Sequence, residues 1–177
     1  MRWIRWTLLA QLAFFGAWAG HEEWRRQGPV ILLEPAPVDP RDLWSGQYLQ
    51  LTYRISRLDG VRVTGDLPDR PGSSVAVRLV PVPWTFRGRA VTVWRAAEIA
   101  YPVFAIPGRQ DPAKGVWVVG SLSPRRWGGL GWVEYGVERW HFNEARVKEY
   151  SNLRPGAFLA ECSVGRDGRL AIRRLVE

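Results

Sequence analysis

Ala157-Phe158-Leu159-Ala160-Glu161-Cys162-Ser163-Val164 and Arg169-Leu170-Ala171-Ile172-Arg173-Arg174-Leu175-Val176 flank Gly165-Arg166-Asp167-Gly168, and this stretch decides the class of the fold. Asp-Gly between two apolar-rich runs is a tight-turn signal, because these residues tolerate the backbone conformations that reverse an antiparallel pair. A C-terminal β-hairpin is expected. The same grammar runs upstream. Tyr48-Leu49-Gln50-Leu51-Thr52-Tyr53-Arg54-Ile55 alternates strictly, with Leu49, Leu51, Tyr53 and Ile55 on one face and Tyr48, Gln50, Thr52 and Arg54 on the other. Val75, Val77 and Leu79 oppose Ala76 and Arg78. Pro81 and Pro83 then end that strand or place it on an edge, since proline donates nothing to a ladder. Val91-Thr92-Val93-Trp94 and Val116-Trp117-Val118-Val119 are two further β-branched and aromatic runs.

Helix signals are few. Asn143 is placed to cap a short helix over 144–150, and Asp39-Pro40-Arg41-Asp42-Leu43 reads as one capped turn with proline at the first helical position. The turn-rich segments Asp66–Ser74, Pro107–Gly115 and Pro124–Gly131 are too short to separate domains. The chain has 177 residues, of which 46% are hydrophobic, enough for one core without staples. Cys162 is the single cysteine, so an intramolecular disulfide is excluded, and with two histidines a dedicated zinc site is not expected. No cofactor motif stands out. The expected fold is mainly β: a single antiparallel barrel-like or sandwich domain with one short helix over residues 25–177. An N-terminal transmembrane helix within residues 1–24 precedes it.

That N-terminal segment rests on 15 uncharged residues from Trp6 to Gly20, including Leu8, Leu9, Leu12, Phe14 and Phe15. As a helix they cover about 22 Å, short of the roughly 30 Å of bilayer hydrocarbon. Flanking residues must supply the rest, with Trp3, Trp6, Trp18 and Trp24 at the two interfaces and Arg5 snorkelling. A cleavable signal peptide has the same anatomy, with basic Arg2 and Arg5, an apolar stretch, and a small-x-small site at Ala17-Trp18-Ala19. Both readings put the rest of the chain outside the cytoplasm. For a retained single-pass anchor, Arg2 and Arg5 argue for a cytoplasmic N-terminus and a periplasmic C-terminal domain, against the counterweight of Arg25 and Arg26.

Val38-Asp39-Pro40-Arg41-Asp42-Leu43-Trp44-Ser45-Gly46-Gln47-Tyr48-Leu49-Gln50-Leu51-Thr52-Tyr53 resembles the GDYXXLXY protein family, named for Gly-Asp-Tyr-x-x-Leu-x-Tyr. Gly46, Tyr48, Leu51 and Tyr53 match, while Gln47 stands where the family has its acid. The N-terminal apolar segment, Arg26, Gly28, Leu32 and Leu33, then Tyr135-Gly136-Val137-Glu138-Arg139 and the terminal hairpin follow in the family's order. The resemblance implies a membrane-anchored bacterial protein, commonly associated with multi-spanning membrane proteins. Gln47 supplies an amide, not a carboxylate, at that position.

Two clusters are candidate binding residues. Asp39, Pro40, Arg41, Asp42, Gly46, Gln47, Tyr48, Leu51 and Tyr53 form the motif block; a polar mouth of Asp39, Arg41, Asp42 and Tyr48 would suit a peptide or a polar headgroup. Turn capping and strand burial also account for each of these residues without a ligand. The second cluster, Tyr135, Glu138 and Arg139 with His141 and Glu144 nearby, is the densest set of acid/base groups. In a strand leading into a capped helix, however, Glu138 and Arg139 point to opposite faces and Glu144 answers the helix dipole. A Pro-x-x-Leu-x-x-Gly run (Pro40, Leu43, Gly46) faintly resembles membrane-bound signal peptidases, but Val38 and Asp39 stand where their serine would be, and the lysines are Lys114 and Lys148.

A net charge of +8 with 11 tryptophans raises nucleic-acid binding. The arginines are scattered in pairs without a basic run, and an extracytoplasmic domain seldom meets nucleic acid, so none is expected as a partner. Arg125-Arg126-Trp127-Gly128-Gly129-Leu130-Gly131-Trp132 is a candidate anchoring segment for lipid headgroups or a protein interface, or else a glycine-rich hairpin with core tryptophans. The expected function is a non-enzymatic accessory or binding module for a multi-spanning membrane partner. The rival is a membrane-bound hydrolase or small-ligand-binding protein with its polar site around Asp39, Asp42, Tyr48 and Glu138.

Overall fold

The fold comes from a computed structural model, which describes residues 2–36, 44–45, 48–103, 111–123, 131–141 and 157–177. The C-terminal hairpin forms as the sequence predicts. Strands β10 (Leu159–Val164) and β11 (Leu170–Val176) pair antiparallel from Leu159↔Val176 to Val164↔Leu170. The Gly168 N–H donates to the Gly165 carbonyl at 2.9 Å, and the Gly165 N–H to Arg169 at 2.7 Å. Gly168 takes φ +77°, the left-handed conformation for which glycine carries no Cβ penalty. Strand β1 (Val30–Leu33) adds to the other side of β10, with Val30 opposite Ser163 and Leu33 opposite Ala160, giving the order β1-β10-β11.

The second sheet is built on a long hairpin, β5 (Ser73–Phe86) with β6 (Arg89–Ala100). Its two-residue turn is Arg87-Gly88, with φ +48° and +76°. Left-handed values at both positions match the twist of the flanking strands. An arginine in the first of them is why no turn signal was visible there. Strand β7 (Val116–Ser123) pairs with β5 from Ser73 to Leu79. Beyond Leu79 the ladder on that side stops, so Pro81 and Pro83 fall where β5 keeps one neighbour, and the strand runs through them. Strand β8 (Trp132–Glu134) flanks β7, and β4 (Arg62–Thr64) lies parallel to β6, with Arg62 opposite Glu98. The order is β4-β6-β5-β7-β8. β4 is an exception to the antiparallel expectation.

A third, small sheet joins β2 (Trp44–Ser45), β3 (Tyr48–Gln50) and β9 (Arg139–His141), with Tyr48 opposite His141, Leu49 opposite Trp140 and Gln50 opposite Arg139. The alternating run at 48–55 is not one strand. It leaves the ladder after Gln50, and residues Arg54–Ser56 form a 3-10 turn. The alternation of burial nevertheless survives: Leu51, Tyr53 and Ile55 are buried while Thr52 and Arg54 are not. Two flanking chains take over the hydrogen bonding. Leu51 N–H donates to Glu138 on one side, and on the other Ala36 N–H donates to Thr52 and Arg54 N–H to Glu34.

Ile31 and Leu33 from β1, Cys162 and Val164 from β10, Val75 and Val77 from β5, Ile99 from β6, Val118 from β7 and Tyr53 with Ile55 join in one apolar core. At Gly120 on β7 an added Cβ would collide with Val133 Cγ1 on β8, so the absent side chain is what lets the two strands close up. The described strands form open sheets, and the barrel-like expectation is corrected accordingly. The five-stranded sheet ends in three-residue strands on both sides, β4 and β8, and these two edges do not pair with each other.

Helix α1 (Arg2–Arg26) spans 25 residues, longer at both ends than the uncharged segment. Its apolar stretch is bounded by Arg2 and Arg5 on one side and by Glu22, Glu23, Arg25 and Arg26 on the other. Among the described residues no helix is long and apolar enough to cross a membrane, so the expected transmembrane helix is present as a helix without that property. The expected short helix over 144–150, the capped turn over 39–43 and the Arg125–Leu130 part of the tryptophan-rich segment lie outside the described residues.

Candidate functional site

The two sequence clusters meet. Strand β3 of the first pairs with β9 of the second, and two tyrosines lock the junction in reciprocal fashion. The Tyr53 hydroxyl donates to the Val137 carbonyl at 2.8 Å, and the Tyr135 hydroxyl donates to the Ile55 carbonyl at 2.9 Å. Each tyrosine thus reaches across to satisfy a backbone acceptor beside the other. Both are buried. Burial pushes the Tyr53 hydroxyl well above its ordinary pKa, with the charges of Cys162 and Glu138 adding to the effect. Burial, then Glu138, raises Tyr135 in the same direction. A phenol in this state holds its proton and serves as a donor to a fixed carbonyl.

Glu138 sits in the turn between them. Its Oε1 accepts the Tyr135 N–H at 2.6 Å, while its backbone carbonyl accepts Leu51 N–H at 2.7 Å. The carboxylate is therefore committed to shaping the Tyr135–Glu138 turn, in which Gly136 takes φ +77°. Arg139 projects from β9 as an exposed side chain. Of the sequence-predicted residues, Leu51 and Tyr53 are core, Tyr48 is a backbone partner of His141, and Asp39, Pro40, Arg41, Asp42, Gly46 and Gln47 lie outside the described residues.

A cleft of about 420 Å³ opens beside Tyr135 and Gly136, which form part of its wall. The hairpin tip supplies Gly165, Asp167 and Arg169, β7 supplies Ser121, β8 supplies Glu134, and Glu22 reaches in from α1. The Val119 N–H donates to Gly168 at 2.9 Å and ties the tip to β7. The guanidinium of Arg166 stacks on the Trp24 ring at 4.4 Å, so the end of α1 and the hairpin tip meet at one edge of the domain. The cleft offers hydroxyls and carboxylates that suit hydrogen bonding to a polar group. Among the described residues no imidazole lines it, and no group of three His, Cys, Asp or Glu side chains is placed to hold a metal ion.

A second recess, which sequence reasoning missed, gathers Arg54, Arg57 and Arg95. The carboxylate of Glu34 bridges two of them, Oε1 to Arg54 Nε at 2.9 Å and Oε2 to Arg95 Nη2 at 3.0 Å. Arg95 also lies over the Trp84 ring at 5.3 Å. Arg54 and Arg57 are near neighbours, but Glu34 and Arg95 come from distant parts of the chain, so no local signal could have grouped the set.

An N-terminal helix, open β-sheets and a tyrosine-locked junction of two motif segments define the class of the protein. The chain belongs to the GDYXXLXY protein family, whose model matches residues 11–175. No curated protein and no solved structure matches the chain.

Proposed function

We propose that the chain is a non-enzymatic binding module held at a bacterial membrane by its N-terminal helix, with the β domain on the periplasmic side, where it pairs with a multi-spanning membrane protein. The observation that carries this reading is the bare apolar surface of α1. Trp3, Ile4, Trp6, Leu8, Leu9, Leu12, Phe14, Phe15 and Trp18 are all at least 54% exposed, and they fall on every side of the helix. A helix whose middle is apolar all round and uncovered by its own domain favours an apolar environment there, either lipid or another helix. Tryptophans near both ends suit the bilayer interfaces, and 25 helical residues reach about 37 Å. The uncharged core is short, so the anchor relies on local bilayer thinning, snorkelling by its flanking arginines and helix–helix contact. That shortfall itself favours a multi-spanning partner.

A binding role also fits the junction chemistry. The tyrosines and Glu138 that a hydrolase would draw on are spent on backbone groups. The test is a mild-detergent pull-down of the full-length protein carrying a C-terminal tag, with the intact mass of the bait read in the same run. A bait that retains Ile4 and recovers a multi-spanning membrane protein is expected. A bait beginning at Gly20 and recovered from the soluble periplasmic fraction without a partner overturns the reading.

A further inference from the structure

We infer that the recess gathering Arg54, Arg57 and Arg95 is a binding site for a soluble phosphate-type oxyanion, such as a phosphate monoester. The recess has a volume of about 380 Å³, within the range of small-ligand sites. Its lining carries three guanidiniums and one carboxylate, Asp59, with small apolar walls at Ala36 and Val61, and with the Glu34 carboxylate behind the arginines the site keeps one net positive charge.

The arginines are held in place from behind. Glu34 follows β1 directly, and its backbone carbonyl accepts the Arg54 N–H at 3.1 Å while its side chain bridges Arg54 and Arg95. The Glu34 side chain is only 13% exposed, so it acts as a half-buried clamp. Each guanidinium has five N–H donors and spends one of them on this clamp, which orders both forks without exhausting them. The Nε of Arg95 is buried and has no hydrogen-bond partner among the described residues. Arg57 lies three residues beyond Arg54, its backbone fixed by a bridge to Trp132, and its side chain makes no bond among the described residues. Three forks arriving from a 3-10 turn, the residue after it and β6 suit a tetrahedral oxyanion better than a planar carboxylate.

The position in the fold points to a ligand from solution. β1 starts beside the hairpin tip, where Arg166 meets Trp24 of α1, and runs away from it. Glu34 lies four residues further along, about 13 Å from that edge. The recess is formed by the β domain alone, while its assignment to a soluble rather than a lipid-borne phosphate rests on the membrane placement proposed for α1.

The test is phosphate binding by full-length protein in detergent micelles, read as the rise in unfolding temperature against chloride at matched ionic strength. Phosphate is expected to raise it in a saturable way, and glycerol 3-phosphate to do so as well. Arg57→Ala, which removes an exposed side chain and leaves the clamp intact, is expected to weaken the apparent affinity at least tenfold. Arg173→Ala, an exposed arginine on β11 that does not line the recess, is expected to keep the wild-type affinity. An equal response to phosphate and chloride, or equal loss in both variants, overturns the inference. A short-chain phosphatidic acid that binds through Arg57 while both soluble phosphates fail would overturn the assignment to a soluble ligand.

Discussion

Replacing Tyr53 with Phe removes one hydroxyl and almost no volume, so it isolates the hydrogen bond that ties the two motif segments. The Tyr53 ring is fully buried and its hydroxyl donates to Val137, itself a buried residue. In the variant that carbonyl is left without its donor, which costs about 2 kcal/mol. For a domain of this size the unfolding temperature should fall by roughly 4–8 °C. Tyr135→Phe is expected to behave alike through Ile55, and the double variant to lose less than the sum, because both bonds close the same junction. The pH dependence supplies a second reading. The folded protein holds both phenolic protons above the ordinary tyrosine value near 10, while the unfolded chain releases them there. The unfolded state then binds fewer protons, so wild-type stability is fully present below about pH 10 and falls as pH rises beyond it. Phe variants lack this penalty at the substituted site, and the gap to wild type must shrink in alkali. Thermal unfolding followed by circular dichroism between pH 7 and 11 measures both effects. An unchanged unfolding temperature for Tyr53→Phe at neutral pH, or a gap that widens with pH, would refute the argument that these tyrosines act as internal pins.

Gly120→Ala should destabilise the domain by about 1–3 kcal/mol through the clash with Val133 on β8, and chemical denaturation would show it as a lower midpoint; an unchanged midpoint would mean that β8 yields freely. Cys162 is fully buried, and burial with the charges of Glu161 and Glu138 pushes its thiol up to about 12. It should resist alkylation by iodoacetamide at pH 8 until denaturant is added, and fast modification of native protein, read by mass, would contradict the packing of β10. Leu33→Ala, at a fully buried position on β1, should cost about 2–5 kcal/mol in the same denaturation assay, and a loss below 1 kcal/mol would show that β1 is not integral to the core.

Local pattern was a sound guide wherever a residue's fate depends on near neighbours. The Gly165–Gly168 turn and its flanking strands form as read, because turn geometry is a four-residue property. The burial of Leu51, Tyr53 and Ile55 follows the period-two alternation, even though the strand carrying it ends at Gln50. Pro81 and Pro83 lie on a half-paired stretch for the reason their missing donors imply. The Arg87-Gly88 turn escaped notice because its first residue adopts a left-handed conformation that arginine seldom takes.

By itself, then, the sequence determined a β-rich domain behind an apolar helix, its terminal hairpin, the inward face of the motif segment and membership of the family. Only the tertiary structure decided where the motif strand leaves its sheet, that β4 runs parallel to β6, that Tyr53 and Tyr135 satisfy each other's neighbours, and that Glu34 gathers arginines from two distant elements. Periodicity specifies which side of an element faces the core, because that depends on the next few residues. It does not specify which distant carbonyl or carboxylate a buried donor will meet: the Tyr53 hydroxyl finds its acceptor 84 residues away, where the packing of separate sheets brings the two together.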